Sequence, residues 1–416
     1  MGGDFSGGQA AAIEVVGLGM GGGLHRSEME RIVSADVLAA GARLLERFAH
    51  LRGERVVLGS PLERGLSRIE EAFAQGLRVV VLADGDPLYF GIGTRLIERF
   101  GRENLHFHPG VCAVQAACAR IGMPWQDLPA VSLHGRSDTG PLFSALAAKG
   151  RAAVYTDNEN TPDAVARLLL ERGIEDATVW VLEDLGSPGE KVRRVTPQEA
   201  ADASPGMSFS ALSLVVVEGA LSPAGPPMLG RPDESYQRPD GLITKWPARA
   251  TSLAALRLPQ GGVLWDVGAG CGAVAIEACA LMPGGRVFAV ERDPERHQAV
   301  KANVRAFGAW QVKAVKGEAP EAFSILPDPD RVFVGGSLGH GTAALAEACR
   351  RLAPGGRVVV NTVLLGSLQA ALAHFRELGW SAETCQVQAS LSAPLAGDQR
   401  LAAQNPVFII SADKPA

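Results

Sequence analysis

Val263-Leu-Trp-Asp-Val-Gly-Ala-Gly-Cys-Gly272 is the stretch that decides the fold. Val263–Val267 is short and apolar enough for a buried strand, and the residues from Cys271 to Leu281 read as a helix. Between them, glycines at 268, 270 and 272 let the backbone turn tightly and let a ligand approach it closely. Nineteen residues after Gly272, Glu291 ends the next apolar run, where a carboxylate can accept hydrogen bonds from both hydroxyls of a ribose.

The turn alone leaves three readings open. With Ala273 it also satisfies the looser GxGxxA pattern of dinucleotide sites, and a purely structural turn needs no ligand. Two features favour S-adenosylmethionine (SAM). Asp266 can meet a cationic amino-acid group, and Gly317-Glu-Ala-Pro-Glu321 follows the third strand, where SAM enzymes place an adenine contact.

Outward from this turn, strands are expected at Val263-Val267, Arg286-Val290, Gln311-Val315, Arg331-Val334 and Arg357-Val363. Helical stretches at Pro294-Phe307 and Gly341-Leu352 alternate with them, which predicts a doubly wound, mostly parallel sheet. A further helix (Ser367-Leu378) precedes two strands, Ser381-Gln388 and Pro406-Ser411, expected to close the sheet as an antiparallel hairpin. At 416 residues the chain exceeds what one core normally serves, so two domains are expected. Five prolines between Gly219 and Leu242 mark a linker; the boundaries read 1–11 (a disordered Gly-rich tail), 12–220, 221–241 (linker) and 242–416. The first half is also α/β, with strands at Ile13-Val16, Arg78-Ala83, Ala152-Thr156, Thr178-Leu182 and Ser213-Val217, but no acid is set to take a ribose.

Composition narrows the function. Apolar residues at 47% and charged residues at 20% are ordinary for a globular protein. A net charge of −5 without a Lys/Arg block argues against extensive nucleic-acid binding. Six scattered cysteines with no CxxC pair argue against disulfide and zinc frameworks, and no metal site is expected. The first ten residues lack the features of a signal peptide, and no apolar run approaches the roughly 20 residues of a membrane span, so a cytoplasmic protein without membrane contact is expected.

The run Trp265 to Gly339 resembles the decarboxylating half of the precorrin-6Y methyltransferase family, a SAM-dependent, Rossmann-like class I methyltransferase. The similarity is carried by WDVGAGCG, Ala289–Glu295 (AVERDPE), GEAPE and Leu326–Gly339 (LPDPDRVFVGGSLG), and upstream by Gly230–Tyr236 and Leu242–Lys245. It implies SAM contacts at Thr244, Gly268, Ala269, Gly270, Cys271, Gly272, Glu291 and Ala319, and substrate contacts at Gly335, Gly336 and Ser337. The chain departs from the family at Pro247, where an acid is usual, at Leu338 in a Gly-Gly-Ser-Gly-Gly loop, and at Gln404.

In the first half, Val15-Val-Gly-Leu-Gly-Met-Gly-Gly-Gly23, Leu82–Gly93, His108–Gln115 and Ser132–Arg136 together resemble the tetrapyrrole (corrin/porphyrin) methylase family, over roughly residues 12–218. That family binds SAM between two α/β lobes. The resemblance implies SAM contacts at Asp84, Gly85, Asp86, Tyr89, Cys112, Ala113 and Thr156, with Met20 and Gly21 bordering a substrate trough; Met20 stands where the family has proline. Asp84 and Asp86 are also suited to capping a turn, and Cys112 to packing beside the ligand. His134, Arg136, Lys245 and Arg249 are candidates for holding substrate carboxylates.

The implied activity is of cobalamin biosynthesis: two SAM-dependent methylations of a tetrapyrrole, one per domain, the second coupled to decarboxylation of an acetate side chain. SAM would be the cofactor of each domain, and a homo-oligomer, up to a tetramer through the second domain, is expected. A domain retired to a scaffold, a nucleic-acid methyltransferase and a NAD-dependent oxidoreductase are the competing readings.

Overall fold

The computed structural model describes residues 12–20, 23–202, 209–222, 227–336, 338 and 341–416. The expected disordered tail over 1–11, together with Gly21 and Ser337, falls outside the described residues.

The first half is two lobes. Strands β1 (Ile13–Gly17), β2 (Val37–Ala40), β3 (Glu54–Val57), β4 (Val79–Ala83) and β5 (Leu105–His108) form a parallel sheet in the order β3-β2-β4-β1-β5. Successive residues of β1 serve opposite faces: Ile13 and Val15 enter one apolar cluster, Val16 another. Apart from Glu14, the strand is therefore apolar along its length. The second lobe holds β6 (Ala130–Ser132), β7 (Arg151–Tyr155), β8 (Thr178–Glu183), β9 (Lys191–Val195) and β10 (Ser213–Glu218), ordered β6-β7-β10-β8-β9, with only β6 and β7 parallel. The strand β9 was not expected: its sequence, KVRRV, carries the charge that suits an exposed sheet edge.

The second half is the doubly wound sheet that the glycine turn predicts. It comprises β11 (Gly261–Val267), β12 (Gly284–Glu291), β13 (Val312–Lys316), β14 (Arg331–Gly335), β15 (Arg357–Thr362), β16 (Ala382–Val387) and β19 (Val407–Asp413), ordered β13-β12-β11-β14-β15-β19-β16. The first five are parallel; β19 is antiparallel to both its neighbours. Val263, Trp265 and Val267 pack on one face and Leu264 on the other. The expected closing pair is therefore present, with β19 inserted inside β16. The hairpin of β17 (Ser390–Leu395) and β18 (Asp398–Ala403) that joins them was not expected, because its exposed residues show no buried face to read.

Part of the expected linker 221–241 packs on the second half. From Gly230 to Gln237 the chain is pinned to the second half: the backbone N–H groups of Gly230 and Arg231 donate to Glu277 (3.0 and 3.1 Å), Tyr236 Oη donates to the same carboxylate (3.1 Å), and Gln237 N–H donates to Asn303 (2.9 Å). Prolines here shape an ordered strap. The halves also meet directly. Trp310 Nε1 donates to the Ala220 carbonyl (2.8 Å), Arg305 pairs with Glu175 and Asp176, and Arg172, which burial pushes down to about 10, donates to the Trp310 carbonyl.

Among the described residues no helix is long and apolar enough to cross a membrane, and no cluster of His, Cys, Asp and Glu is placed to hold a metal.

Candidate active sites in the two halves

At the carboxyl ends of β11, β14 and β15 a cavity of about 770 Å³ opens against the glycine turn, where ligands bind in open α/β sheets. Gly270 has φ of +60° and open space where a Cβ would stand, so backbone conformation rather than crowding demands glycine there. Its N–H donates to Glu291 Oε2 (2.8 Å), and Asp293 N–H donates to Oε1 (2.9 Å). Glu291 thus braces the turn, and each oxygen keeps a lone pair for another donor.

Asp266 lies beneath the turn, 1% exposed. Its Oδ2 accepts from Ala275 N–H (3.0 Å), while Oδ1 has no partner and the residue lines the cavity. Burial pushes its pKa up to about 7; the Ala275 N–H works against this and the nearby Glu291 charge adds to it. An orphaned acceptor under a glycine turn fits the ammonium of an amino-acid moiety, so the residues present fit SAM. The raised pKa carries a stability cost whose sign is fixed. The folded form keeps a proton that the unfolded chain releases above the ordinary 3.8, so this group's favourable contribution is full below that value and is lost as pH rises toward about 7.

Of the expected contacts, Thr244, Lys245, Gly268, Ala269, Gly270, Cys271, Gly335 and Gly336 line the cavity. Gly272 caps the helix Ala273–Leu281 instead, and Ala319 packs against the core cluster around Trp265. Arg249 requires a correction. It is 0% exposed, and its guanidinium donates to Glu277 (2.8 Å), Asp233 (2.9 Å) and the carbonyls of Thr244 (2.6 Å) and Arg231 (2.7 Å). Burial works against its charge, yet Glu277 and Asp233 hold it above the ordinary arginine value. No donor is left for a substrate carboxylate; Arg249 positions Thr244 and the strap. Pro247 sits in the first turn of the helix Trp246–Leu256, where a missing N–H costs nothing. Leu338 and Gln404 line the cavity, as does Arg296, which the sequence did not single out and which pairs with Asp240 (2.8 Å).

In the first half, two adjoining clefts of about 920 and 660 Å³ lie between the lobes and share Met20, Arg43, Asp84, Ala113, His134 and Tyr155. Gly17 lies where the loops beside the clefts cross: a Cβ there would stand 2.5 Å from the Gly85 carbonyl and 2.7 Å from the Gly110 N–H, both backbone. Three glycine-containing loops can meet only because these side chains are absent. Gly85, Asp86, Tyr89 and Cys112 line the smaller cleft and Thr156 the larger.

Several of these residues also have structural duties. Asp86 accepts from Leu88 N–H (2.8 Å), so it caps the turn while facing the cleft. Cys112 caps the helix Ala113–Ile121 through Gln115, and the Thr156 hydroxyl bonds the Ser213 carbonyl (2.6 Å). Backbone N–H groups of Asn160 and Gly135 hold the Asp157 carboxyl down at about 2, fixing the turn that carries His134.

Arg136 is not brought to either cleft; it is exposed on the outside of that turn. The cations that do face the larger cleft are Arg43 and Arg47, one turn apart on the helix Ala42–Arg47, with Arg43 paired to Asp84. The i, i+4 spacing was visible, but nothing nearby in sequence marked that helix as part of a site. Tyr89, Phe90 and Tyr155 form a chain of ring contacts at 5.1 and 5.2 Å along the smaller cleft, a platform suited to a flat ligand.

Comparison with known proteins adds the following. Residues 12–201 match the Tetrapyrrole (Corrin/Porphyrin) Methylases family and residues 234–414 match the Precorrin methyltransferase domain family. A precorrin-6Y C(5,15)-methyltransferase [decarboxylating] of Mycobacterium tuberculosis is 37% identical over 390 residues, which cover 92% of this chain and 95% of that protein. Two Salmonella typhimurium proteins each match less than half of the chain at 38% identity. One, a cobalt-precorrin-6B C(15)-methyltransferase (decarboxylating), covers 44% of this chain and 95% of its own length; the other, a cobalt-precorrin-7 C(5)-methyltransferase, covers 43% and 88%.

Proposed function

Since this chain belongs to the decarboxylating precorrin-6Y C(5,15)-methyltransferase family, we propose that its halves divide that family's work on one tetrapyrrole of cobalamin biosynthesis. The second half methylates C15 and removes a side-chain carboxyl group as carbon dioxide; the first half methylates C5. Each half takes its own SAM. The observation that carries this division is that both halves hold a formed cleft, built on unrelated glycine geometry.

SAM supplies a methyl group already activated on its sulfonium. What remains for the chain is to bind, orient and exclude water, which can lower a barrier by several kcal/mol. In the second half, Asp266 Oδ1 takes the ammonium, Glu291 braces the turn and receives the ribose, and Gly268 and Gly270 present backbone. In the first half, the glycine crossing at Gly17 lets the loops approach, Asp84 and Asp86 border the donor, and the Tyr89–Phe90–Tyr155 platform flanks it.

Substrate carboxylates are held by Arg43, Arg47, His134 and Lys245 through charge-assisted hydrogen bonds. All six cysteines are free thiols, which supports work in a reducing cytoplasm. The exposed run Val363-Leu364-Leu365, 53 to 67% exposed, supports association through the second half, up to a tetramer.

Calorimetric titration with SAM tests the paired sites. Two equivalents bind per chain. Because the ammonium favours ionised Asp266, binding in the second half tightens from pH 5.5 to 7.5, with release of about one proton at the acid end that fades as pH passes about 7, and Asp266→Asn removes that dependence. A single equivalent would mean that one half has been retired to a scaffold.

A further inference from the structure

The second half holds another buried acceptor without a partner. Asn361, the penultimate residue of β15, pairs with Gly335 of β14, is 8% exposed and lines the cavity, and its Oδ1 has no hydrogen bond. The amide's orientation follows from its neighbour. Ser252, fully buried, gives its one hydroxyl proton to the Ala248 carbonyl (2.7 Å). It must therefore accept from Asn361 Nδ2 (2.7 Å), which turns Oδ1 away from the helix.

The surroundings are one-sided. Among the described residues that line the cavity, none from β14, β15 or the segments after them is charged; Phe333, Val363 and Leu364 are apolar neighbours. The cations on the wall, Lys245 and Arg296, come from other elements and face Asp233 (3.7 Å) and Asp240. A carboxylate seated beside Asn361 meets no cation from these segments and faces an oxygen lone pair. A protonated ring nitrogen at the same place finds an acceptor too weakly basic to remove its proton.

We propose that Asn361 is a catalytic residue of the decarboxylation, its Oδ1 accepting the N–H of a substrate ring nitrogen in the iminium form; this rests on the assignment of decarboxylation to the second half. As the bond to the carboxyl carbon breaks, carbon dioxide leaves. The electron pair of that bond moves through the conjugated ring into C=N–H⁺, leaving a neutral enamine N–H; the pair then returns to bond a solvent proton at the released carbon, which restores C=N–H⁺. No oxidant or reductant is required. The neutral amide holds the charged ring before the step and draws no proton from it. The substrate's other carboxylates remain where cations hold them, so only the carboxyl group conjugated with the ring nitrogen held at Asn361 is labile.

The test separates carbon dioxide release from methyl transfer. Asn361→Leu lowers the rate of carbon dioxide release from the full substrate by at least about 10-fold, the loss of one hydrogen bond to a charged group. Methyl transfer to a substrate already decarboxylated falls by less than carbon dioxide release, because that step does not draw electrons into the ring nitrogen held at Asn361. Ser252→Ala, which frees the amide to rotate, gives a smaller fall with the same selectivity. Unchanged carbon dioxide release in both variants, or a parallel fall of release and methyl transfer in Ser252→Ala, overturns the role of Asn361. Wild-type protein that methylates without releasing carbon dioxide overturns both this role and the assignment of decarboxylation to the second half.

Discussion

Arg249→Met unfolds the second half at denaturant concentrations that leave the first half intact. The guanidinium neutralises two acids in the interior, Glu277 at 0% exposure and Asp233 at 8%, and also satisfies the carbonyls of Thr244 and Arg231. Removing one partner of a buried ionic cluster strands the rest, at a cost of about 3–5 kcal/mol. That is a large fraction of the 5–15 kcal/mol by which domains are commonly stable. Glu277 retains its bonds from Gly230, Arg231 and Tyr236, so the uncompensated charge is concentrated on a group that cannot reach water. Replacing all three charges together, Arg249→Met with Glu277→Gln and Asp233→Asn, restores much of the loss, because the penalty comes from unpaired charge rather than from a missing contact. Urea unfolding followed by fluorescence measures both. A midpoint unchanged in the single variant would mean that Arg249 is free to serve the substrate after all.

The second large effect falls on the other half. Gly17→Ala places a methyl group inside contact distance of the Gly85 carbonyl, the Gly110 N–H and Pro87 Cδ, the last at 2.9 Å. Two of the three are backbone and cannot rotate away, so the loops that carry Asp84, Asp86 and Cys112 must separate. A displacement near 1 Å between aligned reactants costs about 100-fold, and C5 methylation falls by at least that factor. The site around Gly268 lies in another sheet, and its methylation and decarboxylation continue. The variant therefore yields a product with one added methyl group and one carboxyl group fewer, read by mass spectrometry. Equal loss at both positions would show that the halves do not act independently.

The fold and the glycine turns that open each cleft were legible because their signals are local. A glycine turn needs particular backbone angles, and alternating strands and helices imprint their periods on neighbouring residues. The substrate side was less legible, because charge alone does not disclose where a side chain ends up. Arg249 looked like a substrate anchor, yet it is spent inside on acids 28 residues ahead and 16 behind. Arg136 sits near a recognisable turn and points elsewhere, whereas Arg43 and Arg47 come from an unremarkable helix and face the cleft. The prolines around Tyr236 read as a linker because they suggest irregular chain, and irregular chain can still be pinned by hydrogen bonds. Asn361 carries no motif at all; only the bond to Ser252 reveals where its oxygen points.

The most direct test is the mass of the tetrapyrrole formed when the wild-type chain is incubated with SAM and precorrin-6Y. Two methyl groups gained and one carbon dioxide lost is the expected product of two working sites. One methyl group gained with the same loss would contradict a working first half. No change in mass, despite two equivalents of bound SAM, would contradict the substrate.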